Sequence, residues 1–174
     1  MWAMIDKNGY RLNVGIIIAN KNGQLFWGKR TKSQGWQFPQ GGVNPYETLE
    51  ETMFRELHEE VGLTKRDVKI LAVTKRWINY KLPDHMRRKV QVPVCIGQKQ
   101  KWFLLQLTSP DDTFCFTISK KPEFTRWNWV DYWYPLKQVV YFKRDVYRNI
   151  LKEFEYVLRK NTKQGALTCS NTQT

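Results

Sequence analysis

The chain has 174 residues, 41% of them hydrophobic, and sets 29 Lys and Arg against 16 Asp and Glu, for a formal net charge of +13. That length suits one domain with a sizeable core, and an apolar content that includes eight Trp excludes a disordered basic tail. No apolar run approaches the roughly 20 residues that cross a bilayer, and neither the three cysteines nor His58 and His85 have the spacing of a disulfide framework or a zinc site. We therefore expect no membrane association, a cytoplasmic location, free thiols and surface histidines. The positive excess attracts polyanions such as nucleic acid, nucleotides or anionic lipid, although solubility alone is a second reading of it.

Taken in chain order, "VGIIIAN" and "QLFWGKR" flank Lys21-Asn22-Gly23, and an Asn-Gly turn between two apolar runs predicts a β-hairpin. Thr48 with Glu51 forms a capping box and Gly62 stands at a helix end, which predicts a helix over 49–61. Further strands are expected in "VKILAVTKRWINY", "QKWFLLQL" and "RWNWV". In "FKRDVYRNILKEFEYVLRK", Val146, Ile150, Phe154 and Val157 recur at the spacing of an amphipathic helix. The last stretch, 161–174, lacks such a period and is read as a disordered tail behind a single domain over 1–160. Sheet and helix together indicate an α/β or α+β sandwich.

The acids are not spread evenly. Glu47, Glu50, Glu51, Glu56, Glu59 and Glu60 crowd into 41–63. On the predicted helix Leu49, Met53, Leu57 and Val61 form an apolar stripe, and Glu56, Glu59 and Glu60 share an arc beside it. Carboxylates this close repel one another unless a cation sits among them, and clustered hard oxygens suit Mg²⁺ or Mn²⁺. A solvated acidic face, with Arg55 and Glu59 as a surface pair, is the alternative.

The frame around these acids narrows the choice. Gly41, Glu47, Arg55-Glu56-Leu57, Glu59-Glu60, Gly62 and Leu63 fill every specified position of the Nudix hydrolase signature, and the segment resembles that family. The resemblance implies a Nudix fold, a mixed β-sheet sandwiched between helices. It implies Glu56, Glu59 and Glu60 as ligands of divalent ions, joined by backbone oxygen near Gln40 and Gly41. Arg55 would orient Glu47 or Glu59. The implied reaction is attack of water on a phosphorus of a diphosphate linkage, with Glu56 as first choice of general base and its neighbours or Glu123 as alternatives.

"GYRLNVGIII", "WQFPQGGVNP", "VCIGQKQKWFLLQL" and "WVDYWYPLKQVVYFKRDVYR" resemble one subfamily, the bacterial RNA pyrophosphohydrolases, also described as dinucleoside polyphosphate hydrolases. By that resemblance Glu123 in "KPEF" adds a metal ligand, Arg11, Arg30, Gln98 and Lys143 contact RNA, and Val140 with Phe142 frame a base. The implied substrate is 5′-triphosphorylated RNA, converted to 5′-monophosphate RNA that decay enzymes then attack. Dinucleoside polyphosphates are the alternative substrate, and a catalytically silent RNA-binding module is the alternative of another class. Arg66, Lys75, Arg76, Lys81, Arg87, Arg88 and Lys89 are candidates for a basic track. The chain departs from its relatives in Gly35, where Ser is frequent, Leu12, where Pro is, and Tyr46, where Gly is common.

Overall fold

The computed structural model describes residues 4–32, 35–87 and 94–170, with side chains as far as 162. Eight strands form one mixed sheet: β1 (Tyr10–Ala19), β2 (Leu25–Arg30), β3 (Trp36–Gln37), β4 (Gln40–Gly42), β5 (Val68–Val73), β6 (Ile78–Lys81), β7 (Gly97–Leu107) and β8 (Phe124–Val130). Three helices accompany them: α1 (Leu49–Val61), the short α2 (Pro135–Gln138) and α3 (Arg144–Ser170). The strand order is β3-β2-β1-β7-β5, with β4 paired to β1, β6 to β7 and β8 to β2. β1 and β7 run parallel in register from Tyr10 opposite Gly97 to Ala19 opposite Gln106, and the other strand pairs are antiparallel. The architecture is thus α+β with the sheet between helices, as the sequence implies.

The alternation of β1 and β7 divides the core. Val14, Ile16, Ile18, Phe103 and Leu105 face α1, where Met53, Leu57 and Val61 are fully buried. Ile17, Trp102 and Leu104 face α3, which contributes Val146, Tyr147, Ile150, Leu151, Phe154 and Leu158. Each such side chain taken out of water stabilises the fold by about 1.5 to 3 kcal/mol, so both helices are fixed to the sheet that carries the site.

Local chemistry sets the element ends. The hairpin turn closes because Asn20 Oδ1 accepts from the backbone N–H of Asn22 at 2.9 Å and of Gln24 at 3.0 Å. Thr48 and Glu51 cap α1 reciprocally, and Gly62 ends it at φ 78°, a conformation that favours glycine. "VKILAVTKRWINY" splits into β5 and β6 at Thr74, whose N–H still donates to the Trp102 carbonyl at 2.9 Å while its hydroxyl takes the Trp102 N–H at 3.1 Å and its carbonyl accepts from Lys101 Nζ at 2.7 Å. At the other end, α3 continues to Ser170 and overruns 160, where the sequence reading places the start of a disordered tail. The reason is a contact distant in sequence: Asn161 Nδ2 donates to Gln106 Oε1 at 2.9 Å and holds the helix on β7. Residues 171–174, the side chain of Cys169, and Arg88 and Lys89 of the suggested basic track lie outside the described residues.

Among the described residues no helix is long and apolar enough to cross a membrane. Cys95 and Cys115 are free thiols, and His58 and His85 are exposed.

Candidate active site

α1 docks by its apolar stripe, and this fixes where its acids stand. Glu56, with 13% of its side chain exposed, leans over β4, whereas Glu59, at 49%, faces solvent. β4 comes so close that a Cβ on Gly41 would lie 1.7 Å from Glu56 Cδ. Only glycine permits that approach, which brings the main chain at 41 against the carboxylate. One residue earlier, the Gln40 N–H donates to Glu60 Oε2 at 3.1 Å.

Arg55 is the clamp of the cluster. Its Nε donates to Glu47 Oε1 at 2.8 Å and its Nη2 to Glu47 Oε2 at 2.9 Å and to the Gly42 carbonyl at 2.9 Å. Its Nη1 reaches Glu56 Oε1 at 2.6 Å and lies 3.6 Å from Glu59 Oε2. Of the two partners left open by the sequence, Glu47 takes the bidentate fork. The Arg55 bonds hold the Glu47 carboxyl down at about 2.

The neighbouring acids shift the other way. Burial raises Glu56, with Arg55 opposing, and burial raises Glu60 well above the usual carboxylate range, reinforced by the charges of Glu56 and Glu123. Buried like charges that favour protonation favour a cation equally well, and a divalent ion would return them to the ionised form.

Beside the acids opens a cleft of about 390 Å³. Gln40, Glu60 and Glu123 lie at it together with Arg30, Gln98, Val140, Phe142 and Lys143, so five of the six expected RNA contacts share one cavity with three of the expected metal ligands. The sixth, Arg11, stands apart against β4, where a Cβ on Gly42 would lie 2.3 Å from its Nη2. Its Nε is buried without a hydrogen-bond partner among the described residues. Arg30 Nε is paired with Glu123 Oε1 at 2.9 Å, so it supports an acid as well as facing the cleft.

The sequence reading missed the cleft's floor. Tyr80 donates to Gln98 Oε1 at 2.7 Å and Gln40 Nε2 reaches the same oxygen at 3.3 Å, while Gln100, buried and not part of the lining, donates to Asn13 at 2.9 Å. Lys143 Nζ donates to Gln40 Oε1 at 2.9 Å and to Gln37 Oε1 at 3.3 Å. Burial lowers this lysine to about 8, assisted by Arg30 and opposed by Glu123 and Glu60. The Phe142 and Tyr80 rings, 5.9 Å apart and tilted by 33°, form an aromatic wall. A signal for the floor existed in "GQKQKW": Gln98 and Gln100 share the strand face on which Trp102 and Leu104 are buried.

The NUDIX domain profile matches residues 9–154. The chain belongs to the Nudix family. It is 56% identical over 165 residues to a Proteus mirabilis protein named RNA pyrophosphohydrolase, covering 95% of this chain and 94% of that one. It is 57% identical over 162 residues to the Escherichia coli protein of the same name, covering 91% and 92%. Among solved structures, an E. coli dihydroneopterin triphosphate pyrophosphohydrolase superposes with TM-score 0.65 at 17% identity, over 82% of this chain and 95% of that one. A C. elegans Ap4A hydrolase complex gives 0.62 at 21%, over 86% and 98%. Likenesses at such low identity show the shared Nudix fold.

Nudix hydrolases need divalent cations, and the donor set suits one: Glu56, Glu59, Glu60 and Glu123 are hard oxygens, with main chain at Gln40 and Gly41 beside them. Among the described residues no three acidic side chains converge on one point as they stand. Arg55 Nη1 lies between Glu56 and Glu59, and Arg30 holds Glu123.

Proposed function

We propose that this Nudix hydrolase acts on the 5′-triphosphate end of RNA, leaving 5′-monophosphate RNA and releasing pyrophosphate or successive phosphates, and so exposing transcripts to decay. The observation that carries the reading is the single cleft in which Glu60 and Glu123 meet Phe142, Val140, Arg30 and Lys143. An acidic end suits ion-borne phosphates, and an aromatic wall with cations suits an unpaired base and its backbone. The curated relatives at 56% and 57% identity carry the same name for their activity.

Mg²⁺, with Mn²⁺ able to substitute, is the ion of this reading, and when bound it neutralises phosphate charge and acidifies water. Glu56, Glu59, Glu60 and Glu123 would hold it with main-chain oxygen near Gln40 and Gly41. Glu56 is the general base of this reading, because Arg55 Nη1 holds its carboxylate at 2.6 Å and the main chain at Gly41 packs against it, a fixed position for a proton acceptor. Arg55 acts through Glu56 and Glu47 as a positioning residue. Phe142 and Val140 take the base, while Gln98 orders the cleft floor and Arg30, Lys143 and Arg11 favour the polyanion.

The test is release of phosphate and pyrophosphate from a short 5′-triphosphorylated RNA with Mg²⁺ and then with EDTA, beside diadenosine tetraphosphate at matched concentration. Metal-dependent conversion of the RNA at higher kcat/KM is expected. Preference for the dinucleotide would make this a nucleotide hydrolase, and inactivity on both would move the RNA-binding module to the front.

A further inference from the structure

Trp36 lines the cleft and also carries two cations. Lys29 on β2 lies opposite Trp36 on β3 and opposite Arg126 on β8, so the three residues form a row across adjacent strands. Lys29 Nζ stands 5.8 Å and the Arg126 guanidinium carbon 5.6 Å from the Trp36 ring centroid. The β2–β8 register shifts between Lys29 and Arg30. Such a bulge re-aims a side chain, and here Arg30 goes to Glu123 and the cleft while Lys29 stays in the row.

The neighbouring cations of the site are already committed. Arg30 is tied to Glu123, Arg55 to Glu47 and Glu56, and Lys143 to two glutamines. Arg126, in contrast, is exposed and makes no ion pair among the described residues. A guanidinium held on an indole has less freedom to lose on meeting a phosphate. A strand with its 5′ phosphates at Glu60 and Glu123 and a base on Phe142 must bring its next phosphates out of the cleft. The acids repel them, and the Trp36 wall offers them positive charge.

We propose that Trp36, Lys29 and Arg126 form a second RNA subsite outside the cleft, which takes backbone phosphates 3′ of the nucleotide bound inside. The proposal rests on the RNA-end reading above and adds a dependence on RNA length: a substrate too short to leave the cleft does not use this row.

The experiment measures equilibrium binding, at a fixed Mg²⁺ concentration, of a 5′-monophosphorylated octanucleotide and dinucleotide, which carry the product end and are not turned over, to the full chain and to the Lys29→Gln/Arg126→Gln variant, across a range of monovalent salt concentrations. Each phosphate contact on a single strand contributes about 0.7 to the slope of log K against log salt. The variant should therefore lose about 1.4 from the octanucleotide slope, with a smaller change for the dinucleotide, and Arg126→Lys should retain the slope that Arg126→Gln loses. An unchanged octanucleotide slope, or equal losses for both lengths, would overturn the proposal. Absence of turnover in the wild-type chain would sink the RNA-end hydrolase reading, while the binding comparison would still decide for or against the row. Binding of neither RNA would overturn both.

Discussion

Replacing Arg55 by Lys isolates what a planar fork does that a point charge cannot. Arg55 makes four hydrogen bonds at 2.6 to 2.9 Å, two to Glu47, one to Glu56 and one to the Gly42 carbonyl, and a lysine nitrogen at that distance can keep one or two of them. Bonds to charged groups contribute about 1.5 to 3 kcal/mol each when well shielded, but this cluster is partly open to water and its bonds are not independent. A loss of about 2 kcal/mol is expected, which for a chain of this size lowers Tm by roughly 4 to 8 °C.

Acid sensitivity should change with it. The Glu47 carboxyl is depressed to about 2 by Arg55, so its stabilisation is full above the ordinary carboxylate pKa and disappears as pH falls toward 2. Arg55→Lys should flatten that part of the stability curve. Urea denaturation between neutral pH and about pH 3 measures both effects. Steady-state kinetics on triphosphorylated RNA should show kcat falling with little change in KM, since Glu56 loses its placement while the cleft walls are untouched. A variant within about 0.5 kcal/mol of wild type, the range of ordinary surface changes, and with unaltered kcat would refute the clamp.

Other changes separate chemistry, recognition and strain. Glu56→Gln should lower kcat by about 10²- to 10⁴-fold, the usual worth of a general base, with RNA binding and folding retained; single-turnover assays near wild-type rate would remove Glu56 from that role. Phe142→Ala should raise KM for RNA more than for a dinucleoside polyphosphate, because it takes away half of the aromatic wall shared with Tyr80; equal effects on the two substrates would speak against base recognition there. Tyr46 holds φ 70° with its ring fully in solvent, and a left-handed conformation costs a non-glycine residue about 1 to 2 kcal/mol. Tyr46→Gly should therefore raise stability by up to about 1 kcal/mol after the added freedom of the unfolded chain is deducted; a lower urea midpoint would show that the ring has a partner.

What the sequence made legible was local. The ends of α1 follow from Thr48, Glu51 and Gly62 within one turn, and the stripe of Met53, Leu57 and Val61 follows from helical spacing. Features set by distant partners were not legible. β3 and β4 are two and three residues long and exist because β2 and β1 pair with them. α3 extends past 160 through the Asn161 bond to Gln106, which no periodicity announces. Gln37 and Tyr80 belong to no motif that marks them in the sequence. They join Gln98 in the cleft lining only because β3, β6 and β7 and the turn before α3 come together.

The same division separates generic from specific chemistry at the site. A basic chain can gather acids on one helix because Arg55 neutralises them from behind through Glu47 and Glu56, while Glu60 remains buried among like charges. That arrangement is encoded within 40–62, and in the proposed reading it is the part that handles the phosphates. In the same reading recognition comes from the cleft walls, contributed by β3, β6, β7 and the 140–143 turn, and Arg30 joins the two halves by facing the cleft while it holds Glu123. Arg30→Ala should therefore weaken metal dependence as well as RNA affinity. A residue that only touched RNA would leave the Mg²⁺ concentration for half-maximal rate unchanged, so a metal titration of the variant distinguishes the coupled role from simple recognition.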